Sequence, residues 1–370
     1  MYGKPRNSVM VDVGILILTH SSRLTDLQRC SLNYLTERYE DCDRLNKLPP
    51  FEQLQPVCEQ IDYTGSVSIY RVLSNNVSSQ LSFKFIGNIK GKGNARPQHA
   101  TMLNPSDLIV GYEDHLELWR FRKPLNSTKR IKNNSYAVEK KYHHPFFPGL
   151  HTVNPIAKDQ VVISCSATDA VLILNLNTGK VEQILRMPED LYGLNYDLTT
   201  EMDLWKHYIG NDYQTTHINS AYSLEDGRKI VVSTLIQGAI GIFDLKDNSY
   251  QEITRGFVGC HGARVTDEGK IYFADSVTGC LIFLDENGGI SRRFGVNSRW
   301  LHDVIQLKGE IYAFTVADLN ELRVYNIQSS NLLFRQKFFT CRNKKLHKLC
   351  RRFPFYKGNS TQLLSYWSRA

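Results

Sequence analysis

No cysteine in this chain stands in the C-x-x-C spacing of a metal knuckle or a redox motif. The eight cysteines (Cys30, Cys42, Cys58, Cys165, Cys260, Cys280, Cys341 and Cys350) are scattered, and several sit inside apolar strand patterns, where a thiol behaves as a small hydrophobe. Reduced thiols are expected. Long apolar runs are also missing, since no segment approaches the roughly 20 residues needed to cross a bilayer. The stretch 9–19 follows Lys4 and Arg6 but is broken by Asp12, and no small-residue cleavage pattern comes after it. It reads as a buried strand, so a soluble, cytoplasmic protein is expected, in which the sequons at Asn76, Asn126, Asn133 and Asn359 carry no weight. Neither a phosphate-cradling glycine loop, a Gly-x-Ser-x-Gly elbow nor a nucleotide fingerprint is present, which argues against nucleotide-dependent chemistry. There is no WD dipeptide repeat and no kelch-like diglycine.

What the chain does contain is enough apolar residue, 42% of 370, to bury a large core. Its net charge of +8 is uneven. Much of it falls in a segment 342–370 that carries Arg342, Lys344, Lys345, Lys348, Arg351, Arg352 and Lys357, read as a solvated basic tail. No nucleic-acid-binding motif accompanies it, so nucleic acid is not an expected partner.

Self-similarity organises the rest. Five segments each begin with a histidine, reach an apolar strand about ten residues later, and continue into another strand that ends in a turn. They run from His99 through Asp107-Leu-Ile-Val-Gly, from His151 through Val161-Val-Ile-Ser, from His217 through Ile230-Val-Val-Ser, from His261 through Ile271-Tyr-Phe-Ala, and from His302 through Ile311-Tyr-Ala-Phe. A four-stranded meander of this kind cannot bury both faces alone and must be stacked against its neighbours. The expected fold is therefore all-β, a six-bladed β-propeller spanning residues 1–370 as one domain. The remaining blade is implied by strands near 11–19, 66–73 and 80–86, and the C-terminal region is expected to donate its missing innermost strand. Two insertions interrupt the repeat. Residues 22–57 read as helix, and the aromatic-rich 186–216, with Tyr192, Tyr196, Trp205, Tyr208 and Tyr213, reads as a lid over the channel mouth.

Equivalent positions on the innermost strands of a propeller point towards one channel. The chain has only eleven histidines, so five at one repeat position need a cause beyond chance. One cause is ancestry, with each ring satisfied by backbone. The sharper expectation is a metal centre: neutral imidazole is a common ligand of iron, copper and zinc, and separate blades hold several rings rigidly with coordination positions left open. His99, His151, His217, His261 and His302 are the candidate ligands for a divalent transition metal, iron or copper ahead of zinc. Asp303, Asn154 and Asn219 are candidates for orienting the rings. The arrangement is similar to the all-histidine sites of carotenoid cleavage oxygenase propellers, which are seven-bladed and whose motifs are absent here. The implied activity is oxidoreductase or oxygenase chemistry on a small organic substrate.

Two further segments, His217-Ile-Asn-Ser with Glu225-Asp-Gly-Arg-Lys-Ile-Val-Val-Ser and His261-Gly-Ala-Arg with Asp267-Glu-Gly-Lys-Ile-Tyr-Phe-Ala-Asp, resemble blades of bacterial arylsulfotransferase-like propellers. That resemblance covers two blades and implies group transfer, with His217 or His261 as nucleophile and Arg264 as the partner of the anion. Asp303 completes the candidate catalytic set. A binding platform without catalysis is the remaining alternative. His143 and His144, in a Pro-rich turn just before His151, could reach the channel mouth, whereas His115 opens a more peripheral strand and His20, His207 and His347 share no register.

Overall fold

The computed structural model describes residues 10–23, 63–75, 81–90, 97–112, 115–132, 134–193, 214–224, 227–338 and 359–368. Among the described residues, twenty-four strands form six four-stranded antiparallel sheets. Blade 1 holds β1 (Met10–Arg23), β2 (Tyr63–Asn75), β3 (Leu81–Lys90) and the C-terminal β24 (Asn359–Ser368). Blade 2 is β4 (Pro97–Asn104), β5 (Asp107–Tyr112), β6 (Leu116–Phe121) and β7 (Tyr136–Tyr142). Blade 3 is β8 (Leu150–Ala157), β9 (Gln160–Cys165), β10 (Ala170–Asn175) and β11 (Val181–Arg186), after which a single helical turn, α1 (Glu189–Tyr192), leads away. Blade 4 is β12 (Ile218–Leu224), β13 (Lys229–Thr234), β14 (Ile240–Asp244) and β15 (Ser249–Thr254). Blade 5 is β16 (Cys260–Val265), β17 (Ile271–Asp275), β18 (Cys280–Leu284) and β19 (Ile290–Gly295). Blade 6 is β20 (Leu301–Lys308), β21 (Ile311–Val316), β22 (Glu321–Asn326) and β23 (Asn331–Lys337).

Burial follows strand order, for a simple reason. The second and third strands of a blade are covered by neighbouring blades on both faces, so they read as continuous apolar runs. Ala170 to Leu174, for instance, are all buried, and β17 is buried over Tyr272–Asp275. The outermost strands have no such cover; β19 alternates and β23 is exposed at nearly every residue. Six apolar clusters result, one at each junction between blades. Ile163 and Leu172 of blade 3 pack with Ile109 and Leu116 of blade 2, and Leu16, Leu18 and Val72 of blade 1 meet Leu307, Ala313 and Val324 of blade 6.

The ring closes through the chain ends, as the sequence led us to expect. β24 pairs antiparallel with β1 and lies beside β4 and β20, which makes it the innermost strand of blade 1. The segment from 342 onwards is thus more than a tail, because its last part completes the first sheet. The expected helix over 22–57 falls outside the described residues apart from its first two positions. Of the expected lid, only 186–193 and 214–216 are described.

Candidate functional site at the channel mouth

Register decides which histidines are equivalent. Each innermost strand opens with a residue paired to the end of the second strand: Pro97 to Tyr112, Leu150 to Cys165, Ile218 to Thr234, Cys260 to Asp275 and Leu301 to Val316. A bulge follows immediately in four of these blades and one residue later in blade 5, re-aiming the residue beside it. The residues one position in are Gln98, His151, Asn219, His261 and His302. Across blades 2 to 6 this position therefore carries three imidazoles and two carboxamides, one from each blade.

The expectation of five histidines at one register is corrected by this geometry. His151, His261 and His302 share it, whereas His99 lies one residue further along β4 and His217 precedes β12. Because side chains alternate along a strand, a one-residue offset sends a ring to the other face. His99 accordingly turns into the junction with blade 3, fully buried, its Nδ1 lying 3.0 Å from the carbonyl oxygen and 3.2 Å from the amide nitrogen of Val153. The next blades repeat the latch with smaller residues: Thr152 Oγ1 accepts from Ala221 N at 3.1 Å, and Ser220 Oγ accepts from Ala263 N at 3.0 Å. Blade-to-blade adhesion thus accounts for His99.

The other four rings form two pairs. His217, two residues before Asn219, has a left-handed backbone, φ 51°, and its ring reaches across the junction to blade 3. There its Nε2 sits 3.2 Å from His151 Nε2, with ring centroids 5.1 Å apart. His217 Nδ1 meets the side-chain oxygen of Gln214. A carboxamide oxygen only accepts, so Nδ1 carries the proton and Nε2 of His217 presents a lone pair. In the second pair the rings of His261 and His302 lie 4.7 Å apart, with the half-exposed Trp300 edge-on to His261 at 5.9 Å. Nδ1 of His261 donates to the carbonyl of Gly259 at 2.9 Å and lies 2.7 Å from Ser276 Oγ. Burial pushes His261 down to about 4, against the opposing pull of the Gly259 carbonyl and the Asp303 charge, so its ring is neutral at pH 7. Trp300 precedes β20 as His217 precedes β12. The contact of Trp300 with His261 thus repeats that of His217 with His151: the residue before an innermost strand packs on the histidine of the preceding blade.

Among the described residues, no three His, Cys, Asp or Glu side chains converge closely enough to hold a metal ion. Two imidazole nitrogens do converge, at His151 and His217.

The remaining candidates are engaged elsewhere. Arg264 and Asp303 form a buried two-pronged ion pair, with Nη1 to Oδ1 at 2.6 Å and Nη2 to Oδ2 at 3.0 Å. The guanidinium also donates to the Val304 carbonyl and the Tyr222 hydroxyl, and it lies 4.1 Å from the centre of the Tyr222 ring. Asn154 donates to the Ala221 carbonyl and Asn219 to the Cys260 carbonyl, each at 2.9 Å, so both amides bridge neighbouring blades. His143 is exposed, 5.5 Å from the ring of His115, and half-buried His144 accepts from Phe146 N at 3.2 Å. His115 stacks on Tyr112 and faces Glu117 at 3.7 Å. The side chain of His20, and His207 and His347 altogether, lie outside the described residues.

Sequence reasoning passed over Gln214 and Asp169. Asp169, 2% exposed, accepts hydrogen bonds from the backbone of residues 215 to 217 and from two threonine hydroxyls. Burial pushes its carboxyl up while those donors pull it back. Asp275, at the end of the second strand of blade 5, and Asp318, in the turn after the second strand of blade 6, also hold incoming loops.

No known family model matches the chain, nor does any curated relative. Solved structures similar to it include a selenomethionine-substituted virginiamycin B lyase from Staphylococcus aureus, at 11% identity and a TM-score of 0.46, covering 75% of this chain and 82% of that one. Another is a protein of unknown function from Bacteroides caccae, at 9% identity and a TM-score of 0.47, covering 73% of this chain and 90% of that one. Likenesses this distant say nothing of chemistry, and the propeller architecture rests on the six sheets themselves.

Proposed function

We propose that this propeller is a metal-dependent enzyme that acts on a small organic molecule at its histidine-bearing mouth, with iron or copper held between Nε2 of His151 and Nε2 of His217. The 3.2 Å separation of those two nitrogens carries the reading. It is the spacing that two adjacent ligands adopt on one ion at metal–nitrogen bonds of about 2.1 Å. Gln214 supports it, because holding the proton on Nδ1 of His217 puts the lone pair on Nε2 and fixes the ring plane, the usual task of a group behind a ligating imidazole. A redox-active ion with open positions would supply dioxygen activation or electron transfer; zinc there would supply Lewis-acid chemistry. This chain's own residues contribute orientation, through Gln214, and the flanking His261, His302 and Trp300 as groups for a substrate to meet.

Group transfer through His217 or His261 has less support, because the guanidinium of Arg264, the anion partner that reading needs, is already satisfied by Asp303. Elemental analysis of untagged protein, repeated on a His151→Ala, His217→Ala double variant, tests the proposal. Near-stoichiometric metal that vanishes in the variant is expected. Metal-free protein that turns over a sulfate ester would overturn the reading in favour of group transfer, and metal-free protein that does neither but holds a stable partner would favour a platform.

A further inference from the structure

We infer that Asp169 is a positioning residue for His217: its carboxylate, carried on blade 3, holds the loop entering blade 4 in the backbone shape that brings the two imidazoles together. The inference rests on the proposed His151–His217 centre and adds the device that builds it. Oδ2 accepts from Thr215 N at 2.7 Å and Thr215 Oγ1 at 3.0 Å. Oδ1 accepts from Thr216 N at 3.2 Å, Thr216 Oγ1 at 2.7 Å and His217 N at 2.6 Å. Three successive backbone N–H groups converging on one point make an anion-binding nest, and the anion here is built into the chain.

Comparison with the repeat shows what is special about this one. Asp275 receives Val258 N at 2.9 Å, and Asp318 receives Arg299 N at 3.0 Å and the Ser298 hydroxyl at 2.8 Å; each pins a loop of its own blade. Asp169 instead reaches from one blade into the next, and it takes five donors. The excess coincides with the point where a non-glycine residue, His217, must hold φ 51°. A left-handed backbone at such a residue costs on the order of 1–3 kcal/mol and persists only where the surroundings enforce it. Asp169 and His151 both belong to blade 3, so the carboxylate fixes His217 relative to its partner ring rather than to its own sheet.

Asp169→Asn in the full chain tests this, because the amide keeps the size of the carboxylate but turns an NH2 towards groups that are themselves donors. The control is Asp318→Asn, a carboxylate in the turn between the second and third strands of blade 6 that holds a loop of its own blade. Two readouts separate positioning from bulk stability: the nuclear Overhauser effect between the ring protons of His151 and His217 in metal-free protein, and an optical titration with cobalt(II). Asp169→Asn is expected to abolish the ring-to-ring effect and to weaken cobalt binding about 10- to 100-fold. Asp318→Asn should lower the melting temperature yet leave both readouts at the level of the unmodified protein. An unchanged ring contact in Asp169→Asn, or equal losses in the two variants, would overturn the inference. Should Asp169→Asn fail to fold, Thr216→Val deletes one donor and is expected to weaken cobalt binding about tenfold; no change there would count against the inference. If the unmodified protein takes up no cobalt, the metal reading fails, and the ring contact alone decides the role of Asp169.

Discussion

Arg264 and Asp303, on the innermost strands of blades 5 and 6, grip each other through both guanidinium nitrogens and both carboxylate oxygens at the junction where the side-chain latch is missing. Gly262 occupies the position that His99, Thr152 and Ser220 hold in blades 2 to 4. Its φ is +61°, and a Cβ there would meet Asp303 Oδ1 at 2.1 Å. The ion pair replaces the latch. Arg264→Met leaves a buried carboxylate uncompensated and should destabilise by about 3–5 kcal/mol, read as a lower denaturation midpoint in guanidinium chloride. Gly262→Ala should destabilise as well, for lack of space.

The latches carry a smaller share each. Ser220→Ala leaves the buried Ala263 N–H without its acceptor and should cost about 1–3 kcal/mol, measured by the same denaturation. His99→Leu should behave in the same way and leave cobalt affinity unchanged, since His99 faces Val153 and not the imidazole pair. Loss of metal on replacing His99 would argue for a larger centre than two rings.

Acid should act through two groups of opposite kind. Burial raises the Glu117 carboxyl, but bonds from His115, Lys141 and the Trp119 indole outweigh it and hold the group at about 2. Its contribution to stability is complete above the unfolded carboxylate range near 4.5 and is lost as pH falls towards 2. His261 is held neutral, near 4 instead of 6.5, so the unfolded chain binds its proton first and stability falls as pH drops from 6.5 to 4. Melting temperatures should decline in both windows. Glu117→Gln should flatten the lower decline and His261→Gln the upper one.

Closure of the ring makes a further demand. A chain ending at residue 338 lacks β24, leaves β1 without its inner partner, and exposes the flanks of β4 and β20. It should lose the cooperative thermal transition followed by circular dichroism, and a peptide covering 355–370 added in trans should restore part of it.

The sequence by itself determined the repeat, the six-bladed count and the need for a strand from the C-terminus. Those follow from local facts: β-branched apolar runs at a regular period, each too small to bury its own faces. It also placed an aromatic or imidazole at the entry to several innermost strands, as His151, His261 and His302 show. Tertiary structure alone decided which rings meet. A bulge and a left-handed residue shift side chains by a whole face without leaving a periodic mark, so His99 and His217 looked equivalent to the other three and are not. The partners that settle each role, Val153 for His99, Asp169 and Gln214 for His217, Asp303 for Arg264, come from other blades or from loops outside the repeat. Their proximity is a property of the closed ring, in which strands dozens of residues apart are pressed together, and no local pattern in the chain encodes it.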